Sequence, residues 1–362
     1  MCDERLLFAI ETVPDQLVAA HHWIGRHAEI PERLERLLAI AGERAAGDPF
    51  CLHHRGEDDD PGGSRNLEVC VPVREALDAP GVSSRVIEGG VMLCATRRSP
   101  AGAAAGWGPL GWWREAAAHI HAHALDLEDM PLRVRFTPAA GGGPAVTVLQ
   151  FGALLPRWLD RLAAGVEAAA GPAAREDVLD GAEEAGLGAA PDERAAWLAG
   201  ALDRLADAVP DAEARARVLQ GCAHRFPPLR IARMRALYQA EGLDAVLAAM
   251  NADTSDRGLS WYEDPRRSGR TILVAKNPAD REGHAAARTD RERRAACCHC
   301  GLVKRTILGE REPHAEWCHC GAGWYAQLWE GILGRPVRVA VLESVLAGDE
   351  RCRFAIHLPA GV

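Results

Sequence analysis

Residues 50–54 read FCLHH and residues 66–73 read NLEVCVPV. FCLHH is a short, mainly apolar run, and NLEVCVPV contains three β-branched valines and partly alternates apolar with polar positions, so each stretch predicts a strand. Ahead of them, PERLERLLAIAGERA at 31–45 places apolar residues at positions 34, 37, 38 and 41, the spacing of an amphipathic helix. LLFAIETVPDQLVAAH at 6–21 predicts a strand or a bent strand pair. The first part of the chain is therefore expected to run strand–helix–strand–strand.

The same order of elements recurs further along the chain. RVIEGGVMLCATRR at 85–98 predicts a strand pair with a Gly-Gly bend, WGPLGWWREAAAHIHAHAL at 107–125 a helix, and PLRVRFTP at 131–138 a last strand. The sequence thus predicts an α+β fold whose first domain, residues 1–138, contains this unit twice.

A Gly-rich linker is predicted at 139–147, where the sequence contains AAGGGPA. Residues 148–362 are then expected to form a second domain. It begins with helices rich in Ala and Leu, and it ends with a strand at 270–277, a helix at 323–334 and a hairpin from VRVAVLESVL and RCRFAIHL.

Composition excludes several classes of protein. Of the 362 residues, 48% are hydrophobic and 26% charged, which is typical of a soluble globular protein. No apolar stretch reaches the length of a membrane span, and the acidic N-terminus lacks a signal-peptide pattern, so a cytoplasmic location is expected. The net charge of −9 disfavours nucleic-acid binding. Residues 264–311, with 12 basic and 6 acidic residues, leave open an adaptor that binds an acidic partner.

Six of the eleven cysteines lie in the last 66 residues. Four of them form two close pairs, and four thiolates in two pairs can make a closed tetrahedral site. The sequence therefore predicts a structural zinc on Cys298, Cys300, Cys318 and Cys320. An iron–sulfur cluster would use the same thiolates, and zinc is favoured over it. Free thiols or a redox-active cysteine are the alternatives without a metal.

The first half resembles a known family. The order of FAIETVPDQLVAAHHWIG, EIPERLERLLAIA, DPFCLHHRGEDDD, NLEVCVPV and IEGGVMLCATRR is similar to the GyrI-like (gyrase-inhibitor-like) effector-binding domain, over about residues 5–138. The resemblance implies a duplicated fold with a cleft between the copies that receives organic, often cationic and aromatic, molecules. No DNA-binding helix-turn-helix is expected ahead of residue 5, so direct DNA binding is not expected.

Candidate ligand contacts follow from the residue types. A buried carboxylate would suit a cationic ligand, and Glu68 on the NLEVCVPV strand is the candidate, although an outward-facing strand position is the alternative. Trp23, Trp107 and Trp112 are candidates for an aromatic wall, with core packing as the alternative. The final strand of the family often carries a Glu near its start, where PLRVRF has Arg133 and Arg135.

The C-terminal part resembles a bacterial cysteine-rich family. CCHCGLVKRTILGE, WCHCGAGWYAQLWEGILG and VLESVLAGDERCRFAIHLP are similar to thiazoline-carboxylate hydrolase-like proteins, and GDERCRF resembles the four-vinyl-reductase domain. The leading hypothesis is a protein that binds an organic effector or toxin and carries a structural zinc. The alternative is a hydrolase that opens a small strained or heterocyclic ring. A homodimer is compatible with either.

Overall fold

The computed structural model describes residues 6–54, 65–99, 115–116, 119–120, 123, 125, 127, 131–137, 145–254, 259–309 and 314–362. The described chain separates into two compact units. The first contains residues 1–122 and 127–153, and the second contains residues 123–126 and 154–362. Both units combine helices and strands, which makes the fold α+β as predicted.

The first unit is built on an antiparallel sheet of eight strands in the order β1-β6-β8-β7-β3-β4-β2-β5. The strands are β1 (Leu7–Val13), β2 (Gln16–Gly25), β3 (Phe50–His53), β4 (Arg65–Pro72), β5 (Ser83–Ile87), β6 (Gly90–Ser99), β7 (Leu132–Thr137) and β8 (Ala145–Gly152). Helix α1 (Ile30–Ala41) lies between β2 and β3, flanked by 3-10 turns at His27–Glu29 and Gly42–Arg44.

The strand order is symmetric about its centre. Reading it from either end places β1 opposite β5, β2 opposite β6, β4 opposite β8, and β3 beside β7. Paired elements also match in size, since β2 and β6 both have ten residues and β4 and β8 both have eight. The sheet is therefore a duplicated unit whose first strands are exchanged, because β1 pairs with β6 of the second copy and β5 with β2 of the first.

The structure corrects the predicted end of the first domain. Residues 145–152, divided in the prediction between the linker at 139–147 and the second domain from 148, form β8, which pairs with both β6 and β7. Val148, Leu149 and Phe151 are buried there. The Gly-rich stretch before β8 is typical of a linker, but the alternating residues after it complete the second copy, so the unit ends at Ala153.

The Gly-Gly bend predicted near residue 89 joins β5 to β6. A Cβ atom on Gly89 would lie 2.0 Å from the backbone oxygen of Val13, and Gly90 has φ of 107°. Only glycine avoids both the close contact and the left-handed strain at these two positions. The bend thereby brings the start of β6 against the end of β1.

The second unit packs helices against a four-stranded antiparallel sheet in the order β11-β12-β10-β9. Its core includes Trp158, Leu198, Trp329 and Phe354, all nearly inaccessible to solvent. The helices are α2 (Leu154–Ala170), α3 (Pro172–Val178), α4 (Pro191–Ala208), α5 (Ala212–Gly221), α6 (Pro228–Glu241), α7 (Leu243–Ala252), α8 (Arg281–Ala286), α9 (Asp290–Cys297) and α10 (Cys318–Leu333). The strands are β9 (Arg266–Ser268), β10 (Thr271–Ala275), β11 (Arg338–Glu343) and β12 (Arg353–His357), with 3-10 turns at Lys304–Ile307 and Ala315–Trp317.

Among the described residues, no helix combines the length and the apolar character needed to cross a bilayer.

Candidate functional site

The two faces of the eight-stranded sheet are distinguished by helix α1. Arg33 on α1 approaches His21 at 2.9 Å, and its guanidinium lies 4.7 Å from the ring centre of Trp23. Because side chains alternate along a strand, His21 and Trp23 face the helix, and Ala20 and His22 face the other way. We call this second side of the sheet the distal face.

Glu68 lies on the distal face and is buried. It is paired in register with His22 on β2 and with Leu52 on β3, and only 3% of its surface is exposed. One carboxylate oxygen accepts from Nε2 of His54 at 2.9 Å and from the Arg85 guanidinium at 2.5 Å. Burial alone would raise the pKa of Glu68, but the His54 hydrogen bond and the Arg85 charge outweigh burial and lower the pKa.

Arg133 on β7 is a second buried charge on the distal face. It lies opposite Leu52 in register, and 3% of its surface is exposed. Its guanidinium donates to Oε1 of Gln16 at 3.0 Å and to the Glu88 carbonyl oxygen at 3.5 Å, and it lies 4.3 Å from the ring centre of Phe50. Burial lowers the pKa of Arg133.

Gln150 extends this polar group along the sheet. It pairs with Arg133 in register, is 3% exposed, and donates from its side-chain amide to Sγ of Cys94 at 3.6 Å. Together with Glu68 it makes the distal face polar at positions that solvent scarcely reaches. Such an arrangement can present fixed hydrogen-bonding groups next to the apolar ring of Phe50.

Trp23 and Glu68, two of the predicted ligand contacts, lie on opposite faces of the sheet. Trp23 pairs in register with Leu67 and faces α1, so it lies on the opposite side of the sheet from Glu68. Trp107 and Trp112 lie outside the described residues. On the distal face, Phe50 is the aromatic side chain beside the charged groups. The sequence analysis predicted a strand at Phe50 but no ligand contact.

His54 and Arg85 were also missed as partners of Glu68. Both lie close to it only through strand pairing, because β4 runs beside β3 and β2, and β2 lies between β4 and β5. For Phe50 a signal was available in the sequence. Phe50 lies two residues from Leu52 in FCLHH and therefore on the same face of the strand, and Leu52 is the cross-strand neighbour of Glu68.

Cys318 and Cys320, two of the predicted zinc ligands, have different neighbours. Sγ of Cys318 lies 2.8 Å from the Ser344 hydroxyl and shares a hydrogen bond with Cys352, and the thiol of Cys298 is near enough to influence its charge. Cys320 instead influences the buried Cys222. Within the described ranges, no group of three or more Cys, His, Asp or Glu side chains is arranged to hold a metal ion.

Geometry explains why the second pair diverges. Helix α10 begins at Cys318, so Cys318 and Cys320 lie two positions apart on a helix, which separates their directions by about 200°. The hydrogen bond between the thiols of Cys318 and Cys352 lowers the pKa of Cys352 and raises the pKa of Cys318.

No known family model matches the chain, and no curated protein matches it. Three solved structures are similar in part. The EcmrR C-terminal domain is 12% identical over 41% of this chain and 97% of that chain, with a TM-score of 0.34. A hydrolase from Listeria innocua is 12% identical over 42% and 93%, with a TM-score of 0.30. SAV2435 bound to tetraphenylphosphonium is 9% identical over 41% and 93%, also with a TM-score of 0.30. Similarity at this level defines neither a family nor a ligand for this chain.

Proposed function

We propose that the first unit binds an organic small molecule on the distal face of its sheet, beside Phe50, Glu68 and Arg133. The observation that carries the proposal is the burial of Glu68, Arg133 and Gln150, each 3% exposed, on one side of one sheet. Charged side chains are seldom buried in a purely structural sheet, because desolvation is costly. A set of such groups next to an aromatic ring is typical of a binding site.

The resemblance of residues 5–138 to the GyrI-like domain supports the same class of function. Both lines of reasoning assign the unit an organic ligand between duplicated halves. The site differs from the predicted one in its aromatic component, since Phe50 replaces Trp23 on the side that carries Glu68.

The arrangement around Glu68 favours binding over hydrolysis. A general base must accept a proton readily, whereas the hydrogen bond from His54 and the charge of Arg85 lower the pKa of Glu68. The carboxylate is thus stabilised in its ionised form, where it can fix neighbouring donors in place. A ring-opening hydrolase that uses Glu68 as its base gains no support from this geometry.

Calorimetric titration of the full chain with a panel of planar aromatic compounds tests the proposal. Glu68→Gln is expected to weaken the tightest interaction about tenfold or more, because it removes the carboxylate that holds His54 and Arg85 in place beside the site. Glu35→Gln, on the exposed side of α1, serves as the matched control and should leave the affinity unchanged. Absence of binding by every compound would reject the proposal.

A zinc site in the second unit remains a separate proposal. It is supported by the proximity of Cys298 and Cys318, two of the predicted ligands, and by Cys352 beside them. Metal analysis of the purified chain should find about one zinc that is lost in Cys318→Ser. Cys320→Ser should be measured beside Cys318→Ser, because Cys320 lies near Cys222 and not near Cys352. Metal content unaffected by Cys318→Ser, or zinc absent from the wild type, would reject the zinc proposal.

A further inference from the structure

The charges on the distal face are unevenly compensated. Glu68 has two basic partners, His54 and Arg85. Arg133 has none of opposite charge: within the described part of the chain, its contacts are the neutral Gln16 amide, a backbone carbonyl and the ring of Phe50. The buried carboxylate is thus already satisfied, whereas the buried guanidinium lacks an anion.

The neighbours of Arg133 add to this positive character. Arg135 lies two residues along β7 and therefore on the same face. Glu11 is the other described carboxylate of this face, and it lies in register with Met92 at the far side of the sheet, on an exposed position. The register also places the exposed Arg98 of β6 on this face. The distal face therefore carries four arginines, Arg85, Arg98, Arg133 and Arg135, against Glu11 and Glu68, and the buried charge without an acidic partner is that of Arg133.

A buried guanidinium without a counter-ion is costly, and a carboxylate removes much of that cost by forming paired, charge-assisted hydrogen bonds. The Arg133 guanidinium carbon lies 4.3 Å from the ring centre of Phe50, so the charge and the ring are already adjacent. A flat ligand with an acidic group could contact both side chains at once. A cationic ligand would instead bring a like charge toward Arg133.

We infer that the ligand of the distal face is an aromatic anion, whose carboxylate or similar acidic group binds Arg133 and whose ring lies beside Phe50. This inference rests on the proposed function. The inference deepens the proposed function by naming the chemical class of the ligand. It also reverses the expectation of a cationic ligand held by Glu68.

Three probes of the same shape and different charge test the inference directly. Calorimetry on the full chain at pH 7.5 would compare 2-naphthoate, the neutral 2-naphthamide and the cationic naphthalene-2-carboxamidine. We expect naphthoate to bind about tenfold or more tightly than the amidine, with the amide between them. Tighter binding of the amidine, or equal binding of all three, would overturn the inference and leave the proposed function standing. Binding by none of them would count against the proposed function itself.

Variants locate the preference at one side chain. Arg133→Gln is expected to abolish the preference for naphthoate over the amide, and Arg44→Gln, at an exposed position of the same unit, is expected to retain it. A naphthoate preference that survives in a folded Arg133→Gln protein would refute the role of Arg133. The comparison of the three probes on the wild type stands even where Arg133→Gln fails to fold.

Discussion

His53 on β3 gives the structure a definite pH dependence. Burial and the neighbouring His27, His54 and Arg65 lower the pKa of His53 from 6.5 to about 3. The folded chain therefore keeps His53 neutral at pH values where the unfolded chain protonates it. Stability from this residue is fully present above pH 6.5 and is lost as pH falls from 6.5 toward 3.

The size of the effect follows from the two pKa values. At pH 5 the unfolded chain gains about 2 kcal/mol from protonating His53, and the folded chain gains almost nothing. Screening at this half-buried position reduces the expected loss of stability to between about 1 and 2 kcal/mol. His53→Gln removes the titrating group and should remove that part of the slope.

Urea unfolding of wild type and His53→Gln at pH 7.5, 6.5, 5.5 and 5.0, followed by circular dichroism, gives the free energy of unfolding of both proteins at each pH. Other groups titrate in both proteins, so the informative quantity is the gap between the two curves. We expect the wild type to lose about 1 to 2 kcal/mol more than the variant between pH 7.5 and pH 5.0. Parallel curves for the two proteins would refute the burial of a neutral His53.

Two further predictions concern the second unit. Gly323→Ala would place a Cβ atom 2.0 Å from the backbone oxygen of Gln220, so α10 and α5 must separate. We expect the free energy of unfolding, measured in urea, to fall by about 3 kcal/mol or more. Gly221→Ala is the control and should change it little, because a Cβ there meets no atom within 4 Å. Equal effects of the two substitutions would contradict the close helix contact. Asp253→Asn removes the negative charge 2.7 Å from the buried Arg230 guanidinium and should cost about 3 kcal/mol. Glu213→Gln, in an exposed ion pair, should cost well under 1 kcal/mol. A small loss in thermal unfolding for Asp253→Asn would contradict the burial of the pair.

Local patterns predicted most elements of the first unit. The alternation in NLEVCVPV became β4, and the apolar spacing at 34, 37, 38 and 41 became α1. The strand β8 was missed as part of this unit because a glycine run precedes it, and a glycine run ends one element as readily as it separates two domains. The duplication was visible in the sequence, but its last strand could be assigned only through pairing with β6 and β7.

The candidate site was harder to predict because it depends on register. Trp23 and Glu68 lie on adjacent strands, and a shift of one residue between the strands would place them on the same face. The order of residues in either strand does not reveal that shift. The same holds for Arg133, whose uncompensated charge emerges only when β7 is placed beside β3.

The cysteine pairs show how an element boundary changes chemistry. The helix predicted at 323–334 begins five residues earlier, at Cys318, so the second Cys-x-Cys pair lies on helix rather than on a loop. A loop could turn both thiols toward one metal, whereas two positions on a helix differ in direction by about 200°. The spacing of the cysteines was visible in the sequence, and their separation was decided by the start of α10.

A crystal structure of the full chain with the tightest-binding aromatic compound from the panel tests the central claim most directly. We expect the compound to lie on the distal face of the eight-stranded sheet, with an acidic group at hydrogen-bond distance from Arg133 and its ring beside Phe50. A compound bound instead against α1, or in the groove of the second unit lined by Arg157, Arg161 and Gln327, would contradict it.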